Sequence, residues 1–542
     1  MLRIYRQADI SVDMSIPHCF PSLIVAPTTQ AVLIAGAGLS FGNLPTVKEF
    51  KSKLDKVAQS LGIVLKNDFY ELADVVLKSL ASSGKPDAES RWWLAQELGM
   101  LDDRRWFGEI GLPLSGNTPR HRAIARFAVE ERLRAIVSLN WDALLETALD
   151  SVGLADRNSS PRPWKITAHT SVIDDTHMAR LSHANVFPVI KPHGCVRNLE
   201  QARRLFRSTG TTPSVIFKLT KTELSSLPAE QKTLIDNEVQ SYIAKCPLIA
   251  IGWKAGEHYL RNTVADTAKA VSHIAQDAFT LIDLFWDQNH TVIATAYGKS
   301  NNEAFAEVKA NAPPTTDCLL QWLQARYALN KLMASSPVIQ STLQPLLQQI
   351  DQPVHGHFIQ RWVDSWLPTW VRLCWRAGVM EGFDPYTNKK IDSWDIPIMP
   401  RDVHVPLGTM TGERRELQAA AKLLVVLGSN LSQFDFEKFP GGFWDEKTRS
   451  LYIPLPGWKG SAQPADLAAL KPQIEAMCNW GFVKRIQLVW LDTEDVPPDQ
   501  SLLHQLEAQV RRLMPLAKFA AGNGTTWVDL EVLKGGSHEA VA

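Results

Sequence analysis

Four short stretches of the chain place glycine, amide, carboxylate or imidazole groups directly after apolar runs: Gly36-Ala37-Gly38-Leu39-Ser40, Ser138-Leu139-Asn140-Trp141-Asp142, Lys191-Pro192-His193-Gly194 and Leu248-Ile249-Ala250-Ile251-Gly252-Trp253. A glycine-rich turn between a strand and a helix lets backbone amides approach a pyrophosphate, and the helix N-terminus favours its charge. His193 lies at a strand end and is followed by glycine. An unperturbed imidazole titrates near neutral pH, which suits a general base for a ribose hydroxyl or a water. Asn140, set between apolar neighbours, needs several buried partners if it faces inward. Each feature has a plainer explanation beside this one. A glycine turn closes many strand-helix units without a ligand, most histidines are satisfied surface or core residues, and Asp142 is a good N-cap for a helix over 143–149. Gly252-Trp253 with Glu257 reads equally as a turn beside a solvated acid. In their order along the chain, the four stretches point to a dinucleotide site.

The elements that must position these residues follow from hydrophobic periodicity. Residues 31–35 form a short apolar run, and Val47, Phe50, Leu54, Val57 and Leu61 then recur at helical spacing. Helices are predicted over 69–80 and 88–98 as an insertion, followed by helix 119–129, strand 134–139 and helix 142–149. Residues 185–190 read as a buried strand interrupted by Pro188, and Lys191, preceding a proline, is pushed out of helical geometry. Helix 234–244, strand 247–251 and strand 280–285 complete the alternation. Short apolar strands alternating with helices imply a doubly wound, mostly parallel Rossmann-like α/β sheet with ligands at the carboxyl ends of its strands. The break at Asn311-Ala312-Pro313-Pro314-Thr315-Thr316 ends this first domain.

The expected organisation is an arm over 1–23, a nucleotide-binding domain over 24–310, a helical connector over 317–380 and a C-terminal α+β domain over 381–542. The last contains a hairpin over 443–453, strands over 485–491 and 525–533, and helices over 414–427, 465–480 and 500–514. Trp362, Trp366 and Trp370, with Trp375, form a stripe that suits a core face better than a partner-binding one, and Pro368 interrupts it.

Composition narrows the class. The 542 residues are 45% hydrophobic and 21% charged, with Lys+Arg 57 against Asp+Glu 57. A balanced charge gives no global reason to grip nucleic acid or an anionic membrane. Cys19, Cys195, Cys246, Cys318, Cys374 and Cys478 are dispersed without a Cys-x-x-Cys pair, so neither a disulfide framework nor a zinc ribbon is expected and a reducing cytoplasm fits. No apolar run approaches the roughly 18–20 residues of a membrane helix.

Taken in order, the motifs over about 24–300 resemble the sirtuin family, and more closely its bacterial antiviral NAD-hydrolysing branch than its protein deacylases. Gly36, Ala37, Gly38 and Ser40 with Pro45 look like the family's phosphate loop, and Pro119 with His121 like the helix start that follows it, at compressed spacing. Residues 138–146 are similar to the Asn-x-Asp segment, and Lys191-Pro192-His193-Gly194 to the catalytic histidine motif. Gly252, Trp253 and Glu257 resemble the later Gly-Tyr-Ser-x-x-Asp element, and Asp283 falls where the family often has a ribose-binding asparagine. Only Cys195 and Cys246 lie where deacylases carry paired zinc cysteines, and Thr46-Val47-Lys48 replaces their Asp-Phe-Arg.

The resemblance implies NAD+ as substrate, no metal, and hydrolysis to nicotinamide and ADP-ribose. The phosphate loop would hold the pyrophosphate, Asn140 the nicotinamide ribose and attacking water, His193 the proton, and Asp142 the ribose or nicotinamide. Two alternatives stay open: an NAD-dependent protein deacylase or ADP-ribosyltransferase, and a non-catalytic regulator binding NAD or ADP-ribose. Antiviral relatives are triggered by ATPases, short Argonaute complexes, phage proteins or small nucleotides. A protein partner or self-assembly through the C-terminal region is therefore expected, with direct nucleic-acid binding not indicated.

Overall fold

The computed structural model describes residues 30–108, 119–152, 187–210, 217–225, 229–271, 279–309 and 315–334, five strands between 444 and 531, and a few single residues. The chain divides into two compact units that part between Leu323 and Gln324.

The first unit is organised by a six-stranded parallel sheet. Its strands are β1 (Ala31–Ala35), β2 (Leu133–Ser138), β3 (Val189–Ile190), β4 (Leu248–Ile251), β5 (Phe279–Asp283) and β6 (Phe305–Glu307), in the order β3-β2-β1-β4-β5-β6. Every pairing is parallel. All five residues of β1 are buried, as a strand covered on both faces requires. Strand order reverses between β1 and β4, and the crevice at their carboxyl ends is where a doubly wound sheet receives a ligand. The architecture is thus the Rossmann-like α/β class that the alternation predicts.

Helix α1 (Val47–Ser60) begins at Thr46, whose hydroxyl accepts from the Glu49 amide while Glu49 reaches back to the Thr46 amide. This capping box fixes where the chain leaves the glycine turn. Helices α2 (Phe69–Ser82) and α3 (Asp87–Glu97) complete the expected insertion. Phe50, Leu54, Phe69, Leu72, Val76 and Trp92 give it an apolar core of its own, continuous with Cys195, Val196, Phe217 and Leu219. The insertion therefore packs on the segments that follow the histidine motif. Helix α4 (Pro119–Val129) starts at a proline, whose fixed φ suits a first helical position, and α5 (Leu144–Val152) follows β2. Of the expected strand over 185–190, Val189 and Ile190 pair in the ladder. Pro188 takes part only through its carbonyl, which accepts from the Ile136 amide, so a proline is tolerated on this edge strand.

Helix α6 (Val196–Thr209), rich in arginine, occupies a stretch that reads as polar and mixed in sequence. Beyond it lie α7 (Lys221–Ser225), α8 (Ala229–Ile243) and α9 (His258–Ala270). Tyr259, Leu260 and Val264 of α9 pack with Val32, Ile34, Leu248 and Ala250 in a second core cluster. Cys195 and Cys246 fall in separate clusters.

In the second unit the described strands form a sheet of β7 (Trp444–Asp445), β8 (Ser450–Leu455), β9 (Arg485–Trp490), β10 (Ala517–Gly522) and β11 (Thr525–Glu531), in the order β10-β11-β9-β8-β7. Strands β7 and β8 pair antiparallel, as the hairpin expected over 443–453 does. The helices expected over 414–427, 465–480 and 500–514, and the tryptophan stripe from Trp362 to Trp375, lie outside the described residues. Among the described residues no helix is long and apolar enough to cross a membrane.

Candidate active site

The switch point is built from backbone. Gly36 leaves β1 into a 3-10 turn over Ala37–Ser40 and meets Gly252 at the end of β4. A Cβ on Gly36 would lie 2.7 Å from the Cα of Trp253, and one on Gly38 2.6 Å from the Cα of Gly252. Gly252 has φ +59°, a conformation suited to glycine. These glycines are therefore required first by the contact of two chain segments. The Gly36 amide donates to the Ile251 carbonyl at 2.9 Å and that of Gly38 to the Gly252 carbonyl at 3.1 Å. Ala37 is the exposed residue of the turn, and Pro45, half-buried, precedes α1.

The polar part of the site hangs on the turn's last residue. Ser40 donates to Asp142 Oδ2 at 2.7 Å and accepts from Asn140 Nδ2 at 3.1 Å. Asp142 Oδ1 accepts the Leu144 amide at 3.0 Å, so this carboxylate does cap the entry to α5 while also binding Ser40. Burial raises the pKa of Asp142, opposed by the nearby Lys191 ammonium and the Ser40 and Leu144 hydrogen bonds. Asn140 Oδ1 is buried and has no hydrogen-bond partner among the described residues. A buried amide oxygen left this way is costly, and it is an acceptor open to a donor from a ligand.

Beneath Asp142 sits a buried ion pair. Lys191 Nζ donates to Glu146 Oε1 at 2.8 Å and also contacts the Asp142 carbonyl. Burial disfavours the ammonium, but the Glu146 and Asp142 carboxylates outweigh it and hold Lys191 above its ordinary pKa. Burial pushes the Cys195 thiol up to about 12, so it is no nucleophile. His121 is fully buried, with neither ring nitrogen partnered among the described residues. Burial first, then Arg120, Arg122 and Lys191, keep it neutral.

His193 is 4% exposed. Its Nδ1 lies 3.2 Å from the Leu139 carbonyl and its Nε2 3.0 Å from the Tyr259 hydroxyl. Burial, with the Lys218 ammonium adding repulsion against the favourable Leu139 carbonyl, lowers its pKa to about 3. The imidazole is thus neutral throughout the physiological range rather than poised near neutral pH. Desolvation, invisible in the sequence, overrides the ordinary value. Lys218 is held by its own backbone, whose amide donates to the His193 carbonyl at 3.0 Å. Burial pulls its ammonium down to about 8, and Nζ has no hydrogen-bond partner among the described residues.

Three of the remaining predicted residues surround β4 and β5. Trp253 is 1% exposed and belongs to the core. Its indole donates to Glu257 Oε2 at 2.8 Å and its carbonyl is 2.7 Å from His290 Nε2, so tryptophan and glutamate brace the loop into α9. Asp283 ends β5, where Oδ1 accepts the Leu284 amide at 2.6 Å and Oδ2 is buried without a partner among the described residues. Burial raises its pKa, opposed by the Leu284 amide, His290 and Lys254.

The structure therefore joins Ser40, Asn140 and Asp142 by direct hydrogen bonds and ties His193 to the carbonyl next to Asn140. It turns Trp253 and Glu257 toward each other. Sequence reasoning missed Tyr259 and Lys218, whose contacts with the histidine segment are tertiary. The partnership of Lys191 with Glu146 was also missed, although both residues lie inside recognised motifs.

A six-stranded parallel sheet with glycines at its switch point and polar groups gathered at its carboxyl edge defines a Rossmann-like α/β protein. No protein-family model matches the chain, and no curated protein matches it. A solved structure described as "Structural Basis for the Mechanism and Regulation of Sir2 Enzymes" is similar at 14% identity with a TM-score of 0.32, covering 58% of this chain and 98% of that one.

Proposed function

We propose that the chain is an NAD+ glycohydrolase of sirtuin-like design, releasing nicotinamide and forming ADP-ribose. The observation that carries this reading is the continuous polar constellation after β1, β2 and β3. Ser40 binds both Asn140 and Asp142, Asn140 has an open amide oxygen, and a neutral imidazole stands beside it. The unpartnered Asn140 Oδ1 and Asp283 Oδ2 fit a ligand rich in hydroxyl donors, as a dinucleotide's two riboses are.

In this reading the bond between nicotinamide and the ribose anomeric carbon breaks with its electron pair leaving on nicotinamide. An oxocarbenium-like ribose remains. Asn140 Oδ1 orients the water or ribose hydroxyl, and water captures the anomeric carbon. Water that has added to a cation is strongly acidic, so a base of low proton affinity, as buried His193 is, suffices to accept the proton. Positioning and stabilisation of the cation supply the catalysis. Ser40 fixes the Asn140 amide so that its oxygen, not its nitrogen, faces the substrate.

An intracellular enzyme of this activity needs restraint. We assign that role to the region over 317–542, with residues 381–542 as the domain that senses a trigger, a protein partner or a further copy of the chain, in a defence response that depletes NAD+. The reading is tested by inducing the full chain in cells with the candidate trigger and measuring NAD+, nicotinamide and ADP-ribose. Falling NAD+ with matching rises in nicotinamide and ADP-ribose is the expected result. Undiminished NAD+ in triggered cells overturns it, and nicotinamide release that requires an acylated peptide favours a deacylase.

A further inference from the structure

Tyr259 has no role in the mechanism above, yet it occupies the nitrogen on which that mechanism depends. A carbonyl can only accept, so the 3.2 Å contact with Leu139 places the imidazole proton on Nδ1. Nε2 then carries the ring's lone pair, and the Tyr259 hydroxyl, 3.0 Å away, donates to it. The two rings meet edge-on with centroids 6.4 Å apart. Both imidazole nitrogens are thus engaged by the protein, and no substrate hydroxyl reaches the basic nitrogen while the tyrosine stays in place.

The tyrosine is firmly held. It is 6% exposed and packs with Leu260, Val264 and the sheet residues of its cluster. Its carbonyl accepts the Thr263 hydroxyl at 2.9 Å. The preceding loop is braced by the Trp253–Glu257 hydrogen bond, and it passes through Ala255 at φ +51°, a conformation a non-glycine residue keeps only where its surroundings impose it. Moving the side chain away would empty a core position. Passing a proton through its oxygen requires no such movement.

We propose that Tyr259 is the proton relay of the site, setting the His193 tautomer and carrying the substrate's proton to it. The proposal rests on the hydrolase reading. The water that has added to the anomeric cation gives a hydrogen to the Tyr259 oxygen as the tyrosine's own hydrogen passes to Nε2. One oxygen–hydrogen bond breaks at the added water and one forms at the tyrosine, while the tyrosine's original O–H bond is exchanged for an N–H bond. The tyrosine ends unchanged, the imidazole becomes imidazolium with Nδ1–H still donating to Leu139, and the oxygen now bonded to the anomeric carbon keeps the electron pair of the broken bond as a neutral hydroxyl. Return of the proton to solvent resets the pair.

The test compares the full chain with Tyr259→Phe, which keeps the ring and its packing and removes only the hydroxyl. With histidine nitrogens labelled, and His193 assigned by its loss in His193→Gln, the wild type is expected to show a neutral Nδ1–H tautomer with Nε2 shifted by an accepted hydrogen bond. In Tyr259→Phe the Nε2 resonance moves toward the free pyridine-type position. In triggered turnover of NAD+, kcat of the variant falls roughly 10²-fold with KM little changed, as loss of a proton-transfer group predicts. An unmoved Nε2 resonance, an Nε2–H tautomer in the wild type, or a variant kcat equal to or above wild type overturns the proposal. A wild-type chain that leaves NAD+ intact sinks the hydrolase reading and the relay together, whereas a failure confined to Tyr259→Phe sinks the relay alone.

Discussion

Along one edge of the sheet, the turns that follow the parallel neighbours β1 and β4 cross in a contact made by backbone alone, whereas the ends of β2 and β3 are joined through side chains. At the crossing, Gly36, Gly38 and Gly252 touch main chain to main chain, and their amides donate to the carbonyls of Ile251, Gly252 and Ile282 respectively. At the strand ends, Ser40, Asn140, Asp142, Lys191, Glu146 and His193 form a buried polar layer in which Asn140 Oδ1 and Glu146 Oε2 have no partner among the described residues. The difference is one of tolerance. A backbone contact admits no added atom, while a side-chain network can be altered one bond at a time and retains open acceptors for a ligand. Shape is set at the crossing, and the strand ends carry the groups to which the proposed chemistry is assigned.

The contrast breaks most severely with Gly252→Val. A Cβ there would sit 2.5 Å from the Gly38 carbonyl carbon, on a residue at φ +59°. Backbone strain and overpacking together amount to several kcal/mol, on the order of the roughly 5–15 kcal/mol that stabilises a domain. The expected outcome is loss of the folded first unit, read by soluble yield and limited proteolysis. A soluble, protease-resistant variant would show that the crossing is looser than described.

A smaller effect is expected where side chains carry the structure. Lys191→Met removes one member of the buried pair and leaves Glu146 without its cation, a change that costs about 3–5 kcal/mol. Denaturant unfolding should show a folded but weakened variant, and the double variant Lys191→Met with Glu146→Leu should recover part of the loss. A double variant destabilised by the sum of the Lys191→Met and Glu146→Leu single variants would mean that the ion pair has no coupling.

What was legible in the sequence follows the same division. Glycines, asparagine and histidine at the ends of apolar runs signal themselves locally, because strand, turn and helix are short-range patterns. The sheet and the positions of Gly36, Asn140 and His193 at its carboxyl edge were therefore readable. The hairpin pairing β7 with β8 was readable for the same reason. Strand β6, with three residues, and helix α6, with its many arginines, offer too little apolar periodicity to stand out. Tyr259 and Lys218 approach His193 only through tertiary packing, 66 residues away in the case of Tyr259. The depressed pKa of His193 arises from burial by segments distant in the chain. Trp253 and Glu257 were legible as a pair, but their spacing could not show that they would bind each other rather than a ligand.

A chemical role for His193 and Asn140 is separated from a purely architectural one by a single comparison. The measurement is nicotinamide release from NAD+ by the triggered full chain, set beside His193→Ala and Asn140→Ala under the same conditions, with NAD+ binding to each variant measured by calorimetry. The account predicts that both variants still bind NAD+ and that release falls by roughly 10²-fold or more in each. Release at the wild-type rate by both variants, with binding intact, would contradict it.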